Sequence, residues 1–250
     1  MTHCAPARPD RLADLIERFD VAITPVADAP ANLVILGDDN GPRSVLFLQK
    51  PQAFPRAQFA ARVDWGTVEN PLETGLPVRI EMPIETPDLM GLAVALKWEA
   101  EAHRCGSASV LRRLAEVMIV RLLRFQFDTG CDQIGVLAGL TDLRLSRAIV
   151  AIHNRPGHGW TSGDLAVEAG LSPSRFSELF SQKVGQSPMA YLRQWRLTVA
   201  RQDLQQGQRV DAVSRRYGYA SSEAFSRAFR QKYGVPPLAI RGRVGVAPGA

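Results

Sequence analysis

Between residues 20 and 82 apolar residues come in short runs separated by Pro and Gly. The runs are Val21-Ala-Ile, Asn32-Leu-Val-Ile-Leu36, Ser44-Val-Leu-Phe-Leu48, Ala61-Arg-Val-Asp-Trp65 and Val78-Arg-Ile-Glu-Met82. Short β-rich segments bounded by turn formers predict a small antiparallel sheet or barrel. Beyond Asp88 the apolar spacing becomes helical. Helices are expected over about Asp88–Glu101 and Ser109–Asp128, the second with Leu111, Leu114, Met118, Leu122 and Phe125 on one stripe. This pair reads as cover for the sheet, with a dimer surface as the alternative. From about Asp142 onward the pattern is helical. The fold class that results is α+β: a small β-rich N-terminal part with two helices, then an all-α part, joined near Gly130 to Thr141.

The helical part contains an internal repeat. Ser172/Ser221, Phe176/Phe225, Ser177/Ser226, Phe180/Phe229, Lys183/Lys232, Gly185/Gly234 and Pro188/Pro237 all share an offset of 49. Two copies are too few for a solenoid and suit a duplicated functional unit. In the first copy, Thr161 with Asp164 resembles a capping box that starts a short helix with Leu165, Ala166 and Ala169 inward. Gly170-Leu171 makes a tight connection, the Ser172 hydroxyl caps a second helix, and Pro173 takes its first position. Phe176, Leu179, Phe180 and Val184 form that helix's apolar stripe, and Gly185 stops it. The second copy repeats the plan, with Val210, Val213 and Tyr217 in its first helix, a turn at Gly218 and a cap at Ser221. Phe225, Phe229 and Tyr233 then face inward. Pro188 to about Gln206 reads as a connecting helix with Tyr191, Leu192, Trp195, Val199 and Leu204 on its apolar side. At about 1.5 Å per residue it spans roughly 27 Å. Each copy is a short helix, a glycine turn and a capped second helix, as a helix-turn-helix requires.

Composition narrows the partners. Hydrophobic residues make up 46% and charged residues 22% of the 250, as in ordinary globular proteins. The net charge of +5 is unevenly spread: Val150–Ala250 holds 14 Lys and Arg against 6 Asp and Glu, and the remainder is slightly acidic. A basic C-terminal part points to a polyanion partner for that part alone. The most apolar long stretch, Val110–Phe127, is interrupted by Arg112, Arg113, Glu116, Arg121 and Arg124, so it reads as an amphipathic helix and no membrane partner is expected. The first ten residues lack the apolar core of a signal peptide. Cys4, Cys105 and Cys131 are scattered, which fits a reducing compartment. A cytoplasmic location is expected.

Residues from about Asp142 to Arg243 resemble the DNA-binding domain of the AraC/XylS family of bacterial transcription regulators. The matching residues are Leu165-Ala166, Gly170-Leu171-Ser172, Phe176, Phe180, Gly185-Gln-Ser-Pro188, Tyr191-Leu192 and Trp195-Arg196. Ala212-Val213-Ser-Arg-Arg-Tyr-Gly-Tyr219, Phe225-Ser-Arg-Ala-Phe229 and Tyr233-Gly-Val-Pro-Pro237 complete them. The N-terminal half, through Glu99-Ala-Glu-Ala-His-Arg-Cys-Gly106, resembles the cupin-type part of one AraC subfamily, although the glycine-rich first cupin motif and a His-x-His pair are missing. The resemblance implies a regulatory or dimerisation domain over 1–130, a linker over 131–141, a double helix-turn-helix domain over 142–243 and a tail over 244–250. It also implies double-stranded DNA and RNA polymerase as partners, transcription activation as the activity, and a small-molecule effector, a homodimer or both for the N-terminal half.

With the phenylalanines inward, the outer face of the first copy's second helix carries positions 174, 177, 178 and 181. The resemblance puts Ser174, Ser177 and Glu178 at base-reading places, with Arg175, Gln182 and Lys183 on the DNA backbone. Many relatives have Arg where Glu178 stands. In the second copy Ser222, Glu223, Ser226 and Arg227 take the outward places, with Arg230 and Lys232 near phosphates. Arg227 is the first choice as a base reader, because Arg bidentate to guanine is the commonest specific contact. Catalysis is not expected. His3, His103, His153 and His158 are scattered, His103 and Cys105 have no second pair to complete a metal site, and no nucleophile elbow or phosphate loop occurs. No cofactor, metal or catalytic residue is assigned. The alternative is a ligand-binding or repair protein with a derived helical domain.

Overall fold

The computed structural model describes residues 22–27, 29–65, 76–102, 104–130 and 134–241. They divide into two compact units between Thr141 and Asp142. His3, Cys4, Val21, His103, Cys131 and the tail lie outside the described residues.

The first unit holds β1 (Ala22–Pro25), β2 (Ala31–Asp38), β3 (Gly41–Gln52), β4 (Phe59–Asp64) and β5 (Arg79–Pro83). They form one antiparallel sheet in the order β1-β4-β2-β3-β5, open among the described residues. Cross-strand partners Ala61, Leu33, Phe47 and Ile80 lie in one row, and Phe59, Ile35, Val45 and Met82 in another. All eight are buried. Val34, Leu46 and Leu48 form a separate core on the opposite face with Leu36, Phe54, Ala57 and Ala60. The central strands are therefore buried on both faces, which is why Leu33–Leu36 and Val45–Leu48 read as continuous apolar runs instead of alternating. Asn32 interrupts the first run. At the register shift between Ala31 and Leu33, its Nδ2 donates to Val63 O at 3.0 Å and its Oδ1 accepts from Val63 N at 2.6 Å. The side chain takes the place of a backbone ladder pair, so a buried amide is left satisfied.

Two helices pack against this sheet: α1 (Pro87–Ala102) against β3 and β4, and α2 (Ser107–Thr129) against β1 and β5. Gly106 (φ +86°) turns the chain between them, and Ser107 Oγ donates to Glu99 Oε1 at 2.6 Å. In α2 Leu111, Met118 and Leu122 are buried as their spacing predicts, joined by Ala115, Ile119 and Leu123, while Leu114 and Phe125 are half-buried. The stretch expected to join the two parts carries a short helix, α3 (Val136–Thr141).

The second unit is all helix. Asp142 caps α4 (Leu143–Asn154), its carboxylate accepting from the amides of Arg144 and Leu145. Then come α5 (Ser162–Ala169), α6 (Pro173–Val184), α7 (Pro188–Gln205), α8 (Val210–Arg216) and α9 (Ser222–Tyr233), followed by a 3-10 turn at Pro237–Ala239. The connecting helix α7 buries more than one side. Tyr191, Leu192, Trp195, Val199 and Leu204 are inward, and so are Leu197, Thr198 and Ala200. It packs against α4, α5 and α6, and also against α8 and the 3-10 turn. A helix enclosed by neighbours in several directions loses its polar face, so α7 is the centre of the unit rather than an exposed spacer.

Candidate nucleic-acid interface

Each helix pair is assembled by local rules that its own residues meet. Thr161 and Asp164 make the capping box: Thr161 Oγ1 accepts from Asp164 N at 3.1 Å, and Asp164 Oδ2 accepts from Thr161 N at 2.9 Å. The Thr161 hydroxyl and amide hold the Asp164 carboxyl below its usual pKa. Helix α5 ends at Gly170 (φ +65°), and Leu171 N donates back to Ala166 O at 3.0 Å. In the second pair Gly218 (φ +72°) does the same for α8, with Tyr219 N donating to Ser214 O at 3.0 Å. These turns correspond at an offset of 48, whereas the helices after them correspond at 49. The second turn therefore contains one extra residue, Ala220, before the cap. Ser221 caps α9 by accepting from Ala224 N at 3.2 Å. Ser172 holds the same place before α6, but its hydroxyl makes no bond to the helix amides. Pro173 has already removed one of the amides that needs a partner.

The inner faces are aromatic. Phe176, Phe180, Phe225 and Phe229 are fully buried. Phe176 and Phe180 meet edge-on at 5.5 Å, and Phe225 and Phe229 pack at 5.5 Å. Phe180 continues edge-on to Tyr191 at 5.7 Å. The Tyr191 hydroxyl lies 2.6 Å from Nε2 of His153, whose ring stacks on Trp195 at 3.9 Å. Burial pushes the Tyr191 hydroxyl's pKa far up, so it stays protonated. His153 is thus packed among aromatic rings. Cys105 is exposed and unbridged in the other unit.

With the aromatic faces turned in, the expected DNA-facing residues distribute as follows. Ser174, Arg175, Glu178, Gln182 and Lys183 are exposed on α6, as are Glu223, Arg227 and Arg230 on α9. Arg175 Nη1 donates to Glu178 Oε2 at 2.8 Å, so these two opposite charges share one patch. The Ser221 hydroxyl bonds the Glu223 carboxyl and lowers its pKa, with a smaller contribution from Arg227. Ser177, Ser222 and Ser226 are only half-exposed. Ser177 Oγ lies 3.3 Å from Ser162 Oγ, and Ser222 Oγ lies 3.2 Å from Ser214 Oγ, tying each second helix to the first helix of its pair. Lys232 turns back toward α7. Its Nζ donates to Thr198 Oγ1 at 3.2 Å and Gln194 O at 3.3 Å, and lies 5.2 Å from the Tyr233 ring centre.

Residues 165–243 match a family model described as a helix-turn-helix domain. An AraC-like transcription regulator of Streptomyces lividans is 33% identical over 171 residues, covering 65% of this chain and 55% of the relative. The helical unit is a helix-turn-helix domain of the AraC type. The regulator MtrA of Neisseria gonorrhoeae is 30% identical over 182 residues, covering 72% of this chain and 60% of MtrA. The chain spans only 50–60% of several such curated relatives. A crystallised transcriptional regulator of Chromobacterium violaceum, described among AraC-type DNA-binding domain-containing proteins, is 27% identical over 42% of this chain and 95% of its own, with a TM-score of 0.40.

The AraC-type domain also contains polar groups that periodicity does not reveal. Arg196, on α7, donates from Nε to Pro156 O at 2.6 Å and from Nη2 to His158 O at 2.7 Å. Burial lowers its pKa, with Tyr219 opposing. Asp203, also on α7, accepts from Arg216 Nη1 at 2.6 Å and from the Tyr217 hydroxyl at 2.8 Å. Arg196 stood within the family resemblance at Trp195-Arg196, but its partners lie about forty residues away in sequence. Gly157, within Arg155-Pro-Gly-His-Gly159, was the available signal of a close backbone approach.

Proposed function

We propose that this chain is a sequence-specific DNA-binding transcription regulator, acting as an activator, that reads two adjacent major-groove segments with α6 and α9. The observation that carries the reading is the duplicated pair of glycine-turn helices in a basic domain, each with an aromatic inner face and an exposed polar outer face. Ser174, Ser177, Glu178, Ser222, Glu223, Ser226 and Arg227 face base edges in this reading, with Arg227 the principal reader. Arg175, Gln182, Lys183 and Arg230 contact phosphates. The first unit senses a small molecule, dimerises, or does both, in the manner of a cupin-like regulatory domain. RNA polymerase is the partner of activation, and the chain works in the cytoplasm.

Selection of bound duplexes from a random pool, followed by titration of the selected duplex at several salt concentrations, tests this. Two short motifs about one helical turn apart, roughly 34 Å, are expected. If Arg175, Lys183 and Arg230 each neutralise a phosphate, the log–log salt slope is roughly −3 or steeper. Arg227→Ala is expected to cost about 1–3 kcal/mol at one base position and to relax preference there. Absence of any enriched sequence, or an affinity indifferent to salt, would refute the reading and favour a ligand-binding module with a derived helical domain.

A further inference from the structure

The two helix pairs are joined through a second route besides α7. The loop Arg155–Trp160, which leads into α5, is prefolded by its own contacts: Trp160 Nε1 donates to Arg155 O at 3.0 Å, the Arg155 guanidinium lies 4.7 Å over the Trp160 ring, and His158 meets that ring edge-on at 4.5 Å. This loop touches the turn of the second pair backbone to backbone. A Cβ placed on Gly157 would fall 1.9 Å from Arg216 O, and one placed on Gly218 would fall 2.9 Å from Gly157 O. Only glycine fits at either position without moving the other strand of chain. Arg196 brackets the contact, binding the carbonyl before Gly157 and the carbonyl after it, while its guanidinium lies 3.3 Å from the Gly218 Cβ position. A guanidinium presents several donors in a fixed planar fork, so two carbonyls held this way are fixed in direction as well as distance.

Besides this contact, the second pair is held to α7 by the turn after Gln205, by Asp203 binding Arg216 and Tyr217, and by Lys232 binding Thr198 and Gln194, and none of these reaches the loop that leads into the first pair. We propose that Arg196 is a positioning residue that locks the two helix pairs in one separation and phase, so that this clamp sets the spacing of DNA motifs the chain accepts. The proposal rests on the reading of α6 and α9 as DNA-reading helices. Arg196 itself faces the loop carbonyls and belongs to neither outer face. Its expected effect is therefore on tolerance of spacing and not on which bases are preferred.

The test uses the full chain, as wild type, Arg196→Met and Arg196→Lys. Affinities are measured for the selected duplex and for duplexes with one or two base pairs inserted between its motifs. A rigid two-site reader is expected to lose about tenfold or more on a one-pair insertion, because both sites cannot then be engaged together. Arg196→Met is expected to shrink that penalty to about threefold while base preference within each motif is unchanged, and Arg196→Lys to fall between the two. An undiminished penalty in Arg196→Met overturns the proposal. A second measurement needs no DNA. Spin labels are placed through Ser181→Cys and Gln231→Cys in a chain carrying Cys4→Ser, Cys105→Ser and Cys131→Ser, and the label-to-label distance distribution is recorded. Broadening with Arg196→Met, or with Arg196→Lys should the first variant fail to fold, supports the clamp. An equally narrow distribution overturns it. Broadening in a chain for which no DNA sequence is ever selected sustains the clamp and refutes the DNA reading, so the two failures are distinguishable.

Discussion

Trp195→Ala removes the side chain on which the centre of the helical unit is built. The ring is 1% exposed and stacks on His153 of α4. His153 leads on through Tyr191 to Phe180 and Phe176 of α6, so one indole connects three helices. An aromatic side chain of this kind buries about 200 Å². With the alanine methyl group allowed for, about 150 Å² of burial is lost, worth about 4 kcal/mol at 25 cal/mol per Å². The stacked contact adds about 0.5–1 kcal/mol. The total agrees with the 3–5 kcal/mol typical of buried Trp→Ala changes. For a unit of about a hundred residues this is a fall in Tm of about 15 °C or more. Guanidinium unfolding followed by hydrogen exchange of peptides from α4, α6 and α7 reports this unit separately from the sheet. Trp195→Phe keeps a ring against His153 and is expected to recover more than half of the loss. A loss below about 1 kcal/mol for Trp195→Ala, well under that range, would refute the placement of this ring as the centre of the unit.

Gly170→Ala tests the turn of the first pair: φ is +65° and the nearest atom to an added Cβ is Arg147 Nη1 at 4.0 Å, so the cost is backbone strain alone. About 1–2 kcal/mol is expected by calorimetry, and Gly170→Asn should lose less. Asp164, lowered from 3.8 by its bonds to Thr161, contributes stability that is present above pH 3.8 and lost as pH falls through its lower folded value. The stability difference between wild type and Asp164→Asn should therefore hold steady at neutral pH and shrink on the acid side of that value. Arg230→Ala is expected to reduce the salt slope of DNA binding by about 1. Lys232→Ala, whose ammonium binds Thr198 and Gln194, should instead lower thermal stability with little change in that slope.

What was legible in the sequence was what depends on spacing along one element. Phe176, Phe180, Phe225 and Phe229 reveal their helix faces because they recur at helical intervals, and all four are buried. The helices over Asp88–Glu101 and Ser109–Asp128 were readable for the same reason, and the five strands from short apolar runs set between Pro and Gly. The capping box at Thr161 and the turn at Gly170 need only neighbours a few residues away. Features set by partners distant in the chain were not legible. Nothing local turns Lys232 toward Thr198, carries Arg196 to Pro156, or assigns Asn32 to Val63. Leu197, Thr198 and Ala200 look like the polar or neutral side of α7 until helices are packed around it. The single offset of 49 concealed the extra residue in the second turn, because the paired phenylalanines lie wholly beyond it. The outward residues were correctly placed on a surface wherever helical phase decided the matter. Ser177 and Ser222 are drawn partly inward by the serines they meet.

The repeat divides α6 and α9 each into a face that cannot drift and a face that can. Phe176 and Phe225, and Phe180 and Phe229, are the same residue in both copies and carry the packing. Across the helix, Glu178 corresponds to Arg227, opposite in sign, and neither contributes to the core. One chain therefore presents two unlike surfaces on a common frame, and either can change without repacking the other. Under the proposed DNA reading, a site matched to such a chain would have a beginning and an end. Turned around, it would offer each helix the other's half, so a single copy would distinguish the two directions along a duplex.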